Sequence, residues 1–189
     1  SVFAMDIAEK YYNLDEKKAV ILPNGVSDIF FADKKEHKYE SVLRAVIHYK
    51  NEYNISGREL LEKSLSSIKS QVEIHVITNQ DLTTANTENI TFFKHSMMPP
   101  DKLQEFYLDK DIFLSLNKYD TFSISTAEAM ASGLIPVVTI QTGISRYIQN
   151  GVNGFVFDHF DITRFAGIIN TLSRTAFDKR NETGMAASK

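Results

Sequence analysis

The densest chemistry in the chain lies between Asp111 and Val138, where two carboxylates, Asp120 and Glu128, stand eight positions apart across a helix start. The apolar run Ile112-Phe-Leu-Ser-Leu116 passes into a polar loop carrying Asp120 and Thr121, a helix opens around Ser123 to Ser125, and Ser132-Gly133 closes it. A helix start offers backbone N–H groups without intrahelical acceptors and the positive end of the helix dipole, which suits a phosphate or a sugar hydroxyl. The same spacing also fits a purely structural arrangement, with Ser123 or Ser125 capping the helix, Asp120 near its dipole and Glu128 on the surface.

The elements that must position these groups alternate between short β-rich apolar runs and longer segments of helical period, the pattern of an α/β domain with a mostly parallel sheet. Strands are expected at Ala19–Leu22, Val42–Ile47, Val72–Ile77, Ile90–Phe93, Ile112–Leu116, Ile135–Thr139 and Phe155–Phe157. Helices are expected at Phe3–Tyr12, Arg58–Lys69, Pro100–Tyr107, Ser125–Ala131, Ser145–Gln149 and Ile162–Thr171. Right-handed crossovers between parallel strands place helices on both faces, giving a Rossmann-like three-layer sandwich whose ligands gather at the carboxyl ends of the strands. One domain is expected over residues 1–177, followed by a polar tail at 178–189 that is either disordered or an interrupted helix.

Composition removes several classes. At 189 residues, 43% hydrophobic and 24% charged, the chain has enough apolar material for one packed core. A formal charge of -3 supplies no basic field for nucleic acid. The absence of cysteine excludes disulfides, thiolate metal sites and cysteine nucleophiles. No apolar run approaches the roughly 20 residues of a membrane span, and Ser1-Val-Phe-Ala-Met-Asp lacks the layout of a signal peptide, so a cytoplasmic protein is expected. Nucleophile elbows, P-loops and dinucleotide glycine fingerprints are missing. The five histidines show no metal-ligand spacing, although His48 and His95 each follow a strand and are candidates to line a cleft. Asp109-Lys110-Asp111 has the form of a divalent-cation motif but immediately precedes a buried strand.

Asp120-Thr-Phe122-Ser123 followed by Glu128-Ala-Met-Ala-Ser-Gly133-Leu-Ile-Pro136-Val-Val resembles the donor-site signature of retaining GT-B glycosyltransferases of group 1 (family 4-like), with one extra residue before Pro136. Upstream, Val20-Ile-Leu-Pro23-Asn24-Gly25-Val26 is similar to the Pro-Asn-Gly-Val turn that opens the family's donor domain, and Phe30 or Phe31 to the Phe that follows it. Downstream, Gly143-Ile-Ser-Arg-Tyr-Ile-Gln-Asn-Gly151-Val-Asn153-Gly154-Phe-Val matches the family's closing run.

The resemblance implies the C-terminal, nucleotide-sugar-binding half of a GT-B fold, working with an acceptor-binding N-terminal half that this chain does not include. It implies a nucleotide-diphosphate sugar as substrate, no other cofactor and no metal. It is compatible with peripheral association at the inner face of a membrane through the other half. Glu128 then binds the ribose hydroxyls, and Asp120 approaches the reacting face of the donor sugar. The amides of Thr121, Phe122 and Ser123 hold sugar hydroxyls and diphosphate, while Asn24, Gly25 and His95 border the cleft. Two departures stand out. Asp120 replaces the usual Glu, and the family's diphosphate-binding Arg and Lys are replaced by Asn51 and Ser56, leaving Lys50 and Arg58 as the nearby cations. A non-catalytic GT-B-like accessory or assembly module is the alternative those substitutions leave open.

Overall fold

The computed structural model describes residues 2–12, 19–22, 24–31, 42–49 and 57–189. In chain order it contains α1 (Val2–Tyr12), β1 (Leu43–His48), α2 (Arg58–Ser64), β2 (Val72–Ile77), β3 (Ile90–His95), α3 (Pro100–Tyr107), β4 (Ile112–Ser115), α4 (Ile124–Ala131), β5 (Ile135–Thr139), β6 (Phe155–Phe157), α5 (Ile162–Arg174) and α6 (Phe177–Ala187). The strands form one six-stranded sheet in the order β3-β2-β1-β4-β5-β6, and every pairing is parallel. The chain thus builds outward from β1 to β3, returns to the other side of β1, and continues outward to β6. Its direction reverses between β1 and β4, so their following loops diverge and open a crevice at the carboxyl ends of those two strands.

Period-2 alternation divides the core between the two faces of the sheet. Leu43, Ala45 and Ile47 of β1 join Val72, Ile74, Ile112, Leu114 and Val137 in a cluster covered by Leu60 and Leu61 of α2 and Phe165, Ile168, Ile169 and Leu172 of α5. Val46, Ile77 and Phe113 point the other way, onto Leu103 and Tyr107 of α3, Ala129 and Ala131 of α4, and Phe30 from the short 3-10 turn Asp28–Phe31. Central strands in such a sheet are buried on both faces, which is why Ile135–Thr139 reads as an unbroken buried run.

Three expectations are corrected. Residues 19–22 form no strand: Val20 is 83% and Leu22 77% exposed, and β propensity without a neighbouring edge to pair with does not make a strand. The helix expected from Ser145 is a 3-10 turn at Gly143–Tyr147, and α2 gives way to a 3-10 turn, Leu65–Ser67, instead of running to Lys69. The tail, expected as either disorder or an interrupted helix, is the helix α6, packed on β5 and α4: Arg180 is only 6% exposed and donates to the Leu172 carbonyl at 3.2 Å, while a Cβ on Gly184 would stand 2.1 Å from the Gly133 carbonyl oxygen.

At the amino ends of the strands the Asp109-Lys110-Asp111 motif serves as a structural tie. Asp111 accepts from the Arg44 amide at 2.8 Å and lies 3.5 Å from Arg180 Nε, and Asp109 pairs with Lys110 and, at 3.8 Å, with Arg44. On the same sheet face His75 Nδ1 and His95 Nε2 are 3.0 Å apart, and both rings pack on Phe106. Burial first, then the nearby Lys110 cation, lowers the His75 imidazole from 6.5 to about 4, and the same two causes lower His95.

A base depressed on folding is neutral in the folded state and binds protons more readily unfolded, so its contribution is complete above the unfolded value of 6.5 and is lost as pH falls toward about 4. Glu73 and Asp109 oppose the shift, and Lys110 reinforces it. We expect acidification through this window to cost about 2 kcal/mol after allowance for solvent screening, or about 6 °C in Tm. Thermal melts of the parent and of His75→Leu across the window check this: the variant should lose less stability on acidification, and parallel curves would show that the pair does not titrate as described.

Candidate functional site

Asp120 lies in the β4–α4 loop at the crevice. Its Oδ1 accepts from the amides of Ser123 at 2.8 Å and Phe122 at 3.1 Å, and its Oδ2 accepts from Asn117 Nδ2 at 3.3 Å. The backbone is fixed as well: Gly143 N donates to the Asp120 carbonyl at 2.8 Å, and Asp120 N donates to the Gln141 carbonyl at 3.3 Å. The carboxylate therefore winds the loop into the turn from which α4 departs. Ser123 completes the turn in the left-handed region, φ 72, with its hydroxyl 2.7 Å from Thr126 Oγ1. Because the Ser123 carbonyl accepts from Thr126 and Ala127, the open donors at the start of α4 among the described residues are the amides of Ile124 and Ser125.

Glu128 is half-buried, one turn further along α4, and its neighbour Ala129 packs in the cluster that holds Tyr107. The Tyr107 hydroxyl lies 3.1 Å from Nε2 of His48, the last residue of β1. Burial raises the Tyr107 phenol well above its ordinary value, and the charge of Glu128 adds to the rise. Asp120 and the open start of α4 thus follow β4, and His48 ends its neighbour β1, with Glu128 one turn further along α4.

The other expected residues are placed differently. Asn24 and Gly25 are exposed, with open space where a Gly25 Cβ would stand, and lead into the turn whose Phe30 carbonyl accepts from Ser132 Oγ at 3.1 Å. His95 is level with Ile77 on β2, and Ile77 with His48 on β1, so about 10 Å of sheet separates His95 from His48. Thr121 is exposed, and its carbonyl sits where a Gly143 Cβ would clash at 2.1 Å. Phe122 packs with Met130, Val138 and Ile144, its ring edge-on to Tyr147 at 6.1 Å. Lys50, Asn51 and Ser56 lie outside the described residues, as does Pro23. Arg58 is engaged by Glu62 at 3.0 Å and by Thr83.

Sequence reasoning passed over a cation on the site loop itself. Lys118, two residues before Asp120, reaches Glu59 of α2 at 3.2 Å and so ties the β4–α4 connection to the first turn of α2. Both border a cavity of about 280 Å³ together with Leu60, Lys63, His159 and Phe160. A lone Lys in a polar loop carries no periodic signal, and only the strand order brings it to α2.

A six-stranded doubly wound parallel sheet with its polar groups gathered at the switch point is the architecture of nucleotide-binding α/β domains. Residues 42–189 match the profile of the family Glycosyl transferases group 1, and the chain belongs to that family. A D-inositol 3-phosphate glycosyltransferase of Acidothermus cellulolyticus is 31% identical over 75 residues, which is 40% of this chain and 17% of that protein. Among solved structures, a glycosyltransferase of Rickettsia africae superposes with a TM-score of 0.76 at 18% identity, covering all of this chain and 56% of its own. HepE of Anabaena, solved in complex with UDP and glucose, superposes with a TM-score of 0.60 at 19% identity over 76% of this chain and 42% of its own. The fold is accordingly the Rossmann-like half of a GT-B architecture, and the chain spans about half the length of the Rickettsia protein. Among the described residues no helix is long and apolar enough to cross a membrane.

Two glycine-type positions test how the crevice is held. Gly57, φ 70, precedes α2, and a Cβ there would stand 1.9 Å from the Leu116 carbonyl oxygen. Gly57→Ala is expected to cost about 3 kcal/mol or more in denaturant unfolding, since positive φ and a backbone clash act together. Ser123→Gly relieves the left-handed strain and is expected to stay within about 1 kcal/mol of the parent, whereas Ser123→Val adds a β-branched side chain at positive φ and should lose about 2 kcal/mol or more.

Proposed function

We propose that this chain is the nucleotide-sugar donor half of a retaining glycosyltransferase that transfers a hexosyl group to a glycan, lipid or other acceptor held by a second half. The observation that carries the reading is the placing of Asp120 and the open start of α4 just beyond the carboxyl end of β4, with Glu128 one turn along the same helix. The HepE complex with UDP and glucose, which shares this fold, supports it. Glu128 accepts from the ribose hydroxyls. The amides of Ile124 and Ser125 face the diphosphate, whose charge grows as the glycosidic bond breaks, so donors fixed there favour the transition state. Because Asp120 already holds the amides of Phe122 and Ser123, their contact with the sugar runs through its carboxylate. Lys50 is the cation proposed to add positive charge, and Thr121, Asn24 and Gly25 are proposed to line the rim. No metal is required, and the half alone does not transfer sugar.

Calorimetric titration with UDP, GDP and ADP, with and without a chelator, tests this. Binding of one nucleotide, unaffected by the chelator, is expected. Glu128→Gln should weaken it ten-fold or more, because a charge-assisted hydrogen bond contributes about 1.5 to 3 kcal/mol and a decade of affinity is about 1.4 kcal/mol. Asp120→Asn keeps an acceptor for the amides of Phe122 and Ser123 and should leave nucleotide affinity within about two-fold, since less than 0.5 kcal/mol is then at stake. In the enzyme with both halves, the same change should reduce transfer. Undiminished binding of every nucleotide by Glu128→Gln would turn the reading toward a non-catalytic module.

A further inference from the structure

The two oxygens of the Asp120 carboxylate are engaged in different ways. Oδ1 accepts from the amides of Phe122 and Ser123 and so closes the turn, which the main-chain bonds to Gly143 and Gln141 hold independently. Oδ2 takes no part in that closure: its described bond comes from Asn117 Nδ2, at 3.3 Å. Asn117 is half-buried, two residues past the end of β4, and its backbone is pinned from β5, where the hydroxyl of fully buried Thr139 donates to its carbonyl at 2.6 Å. Among the described residues its carboxamide makes no hydrogen bond other than the one to Asp120. No cation among the described residues pairs with Asp120 either, and Lys118 of the same loop is drawn to Glu59. The carboxylate thus keeps its charge, and Oδ2 keeps a lone pair that no described group takes.

We propose that Asn117 is a positioning residue: its carboxamide holds Oδ2 of Asp120 in the orientation in which that oxygen accepts from a hydroxyl of the donor sugar. This deepens the proposed function and rests on its assignment of Asp120 to the sugar. The physical reason is geometric and electrostatic. A carboxylate anchored through one oxygen can still swing about that anchor, and a donor on the second oxygen sets where its open lone pair points. An amide does so without neutralising the charge, as a lysine would, so the oxygen remains a strong acceptor for a hydroxyl. Because Oδ1 and the main chain already build the turn, losing the Asn117 amide should touch recognition of the sugar and leave recognition of the nucleotide alone.

The test measures, by calorimetry on the chain, the ratio of Kd for a nucleotide to Kd for its sugar conjugate, using UDP with UDP-glucose, GDP with GDP-mannose and ADP with ADP-glucose and keeping the pair that binds. Parent, Asp120→Asn, Asn117→Ala, Asn117→Asp and the Asp120→Asn/Asn117→Ala pair are compared, with a thermal melt of each. Asp120→Asn is expected to lower the ratio about five-fold or more and Asn117→Ala about three-fold or more, with nucleotide affinity within about two-fold and no further loss in the double variant, since both act through one carboxylate. Asn117→Asp should lower the ratio at about pH 8, where two carboxylates face each other, and recover toward the parent's value at about pH 5, where a shared proton donates in place of the amide. If Asp120→Asn lowers the ratio while both Asn117 variants keep the parent's, the sugar assignment stands and the positioning role is overturned. If Asp120→Asn leaves the ratio unchanged, or no pair binds the parent, the sugar assignment fails and this inference falls with it. Equal losses for nucleotide and conjugate alongside a lower Tm in Asn117→Ala would make it a turn-building residue only, and a ratio for Asn117→Asp that stays low at both pH values would likewise overturn the role.

Discussion

The parallel pairing of β1 with β4 is the constraint on which the rest of the molecule depends. Ala45, Val46 and Ile47 align with Ile112, Phe113 and Leu114, so the two strands end together and their loops leave side by side. Close approach then follows from backbone chemistry: Gly57 lies against the Leu116 carbonyl, a contact that any Cβ would prevent. The reversal of strand order at this seam keeps a crossover helix from covering it, which is why polar groups are tolerated here while both faces of the sheet are sealed with Leu, Ile, Val and Phe.

Within that crevice the strongest local organiser is a carboxylate used as a turn-former. Asp120 binds two successive amides and is itself fixed by Gly143 and Gln141, so the β4–α4 loop is braced from the β5 side as well as from within. The brace continues outward: Phe3 of α1 lies 5.7 Å from the Tyr119 ring, and Asp6 of α1 pairs with Arg146 of the turn that carries Gly143. A loop held on this many sides can keep Ser123 in a left-handed backbone conformation that costs a non-glycine residue energy.

The sheet was legible because its signals are local. Val72–Ile77, Ile135–Thr139 and Phe155–Phe157 match the expected bounds, and Pro100–Tyr107 is announced by its own proline at the helix start. Segments whose structure depends on distant partners were misread or left open. Val20 to Leu22 has strand-forming residues and no strand to join. α6 has no apolar stripe; it is anchored by Arg180 on the Leu172 carbonyl, by Gly184 against Gly133 and by Ala187, and none of those reads as a core residue. At the candidate site, the motif order singles out Asp120 and Glu128 as candidates, but the division of amides between Asp120 and any ligand is a matter of loop geometry. The pairing of Tyr107 with His48, 59 positions apart, is invisible to any window along the chain.

Charge is apportioned between the two ends of the sheet. At the amino ends Arg44, Asp109, Lys110, Asp111 and Arg180 form a connected set in which Lys110 is buried over the Phe106 ring at 4.3 Å, and buried Lys110 or Arg180 without its partner would be left as a desolvated charge. These ions fix the registry of β1, β4 and α6, leaving little freedom for ligand-driven change at that end. At the carboxyl ends the groups facing the crevice are mostly neutral donors and two carboxylates, with Lys118 the described cation on the site loop, already shared with Glu59. Neutral, preorganised amides attract an anion without the desolvation cost of a buried lysine. In a chain of net charge -3, backbone geometry can supply a positive field that side chains do not, and among the described residues of this crevice the open amides at the start of α4 are placed to do so.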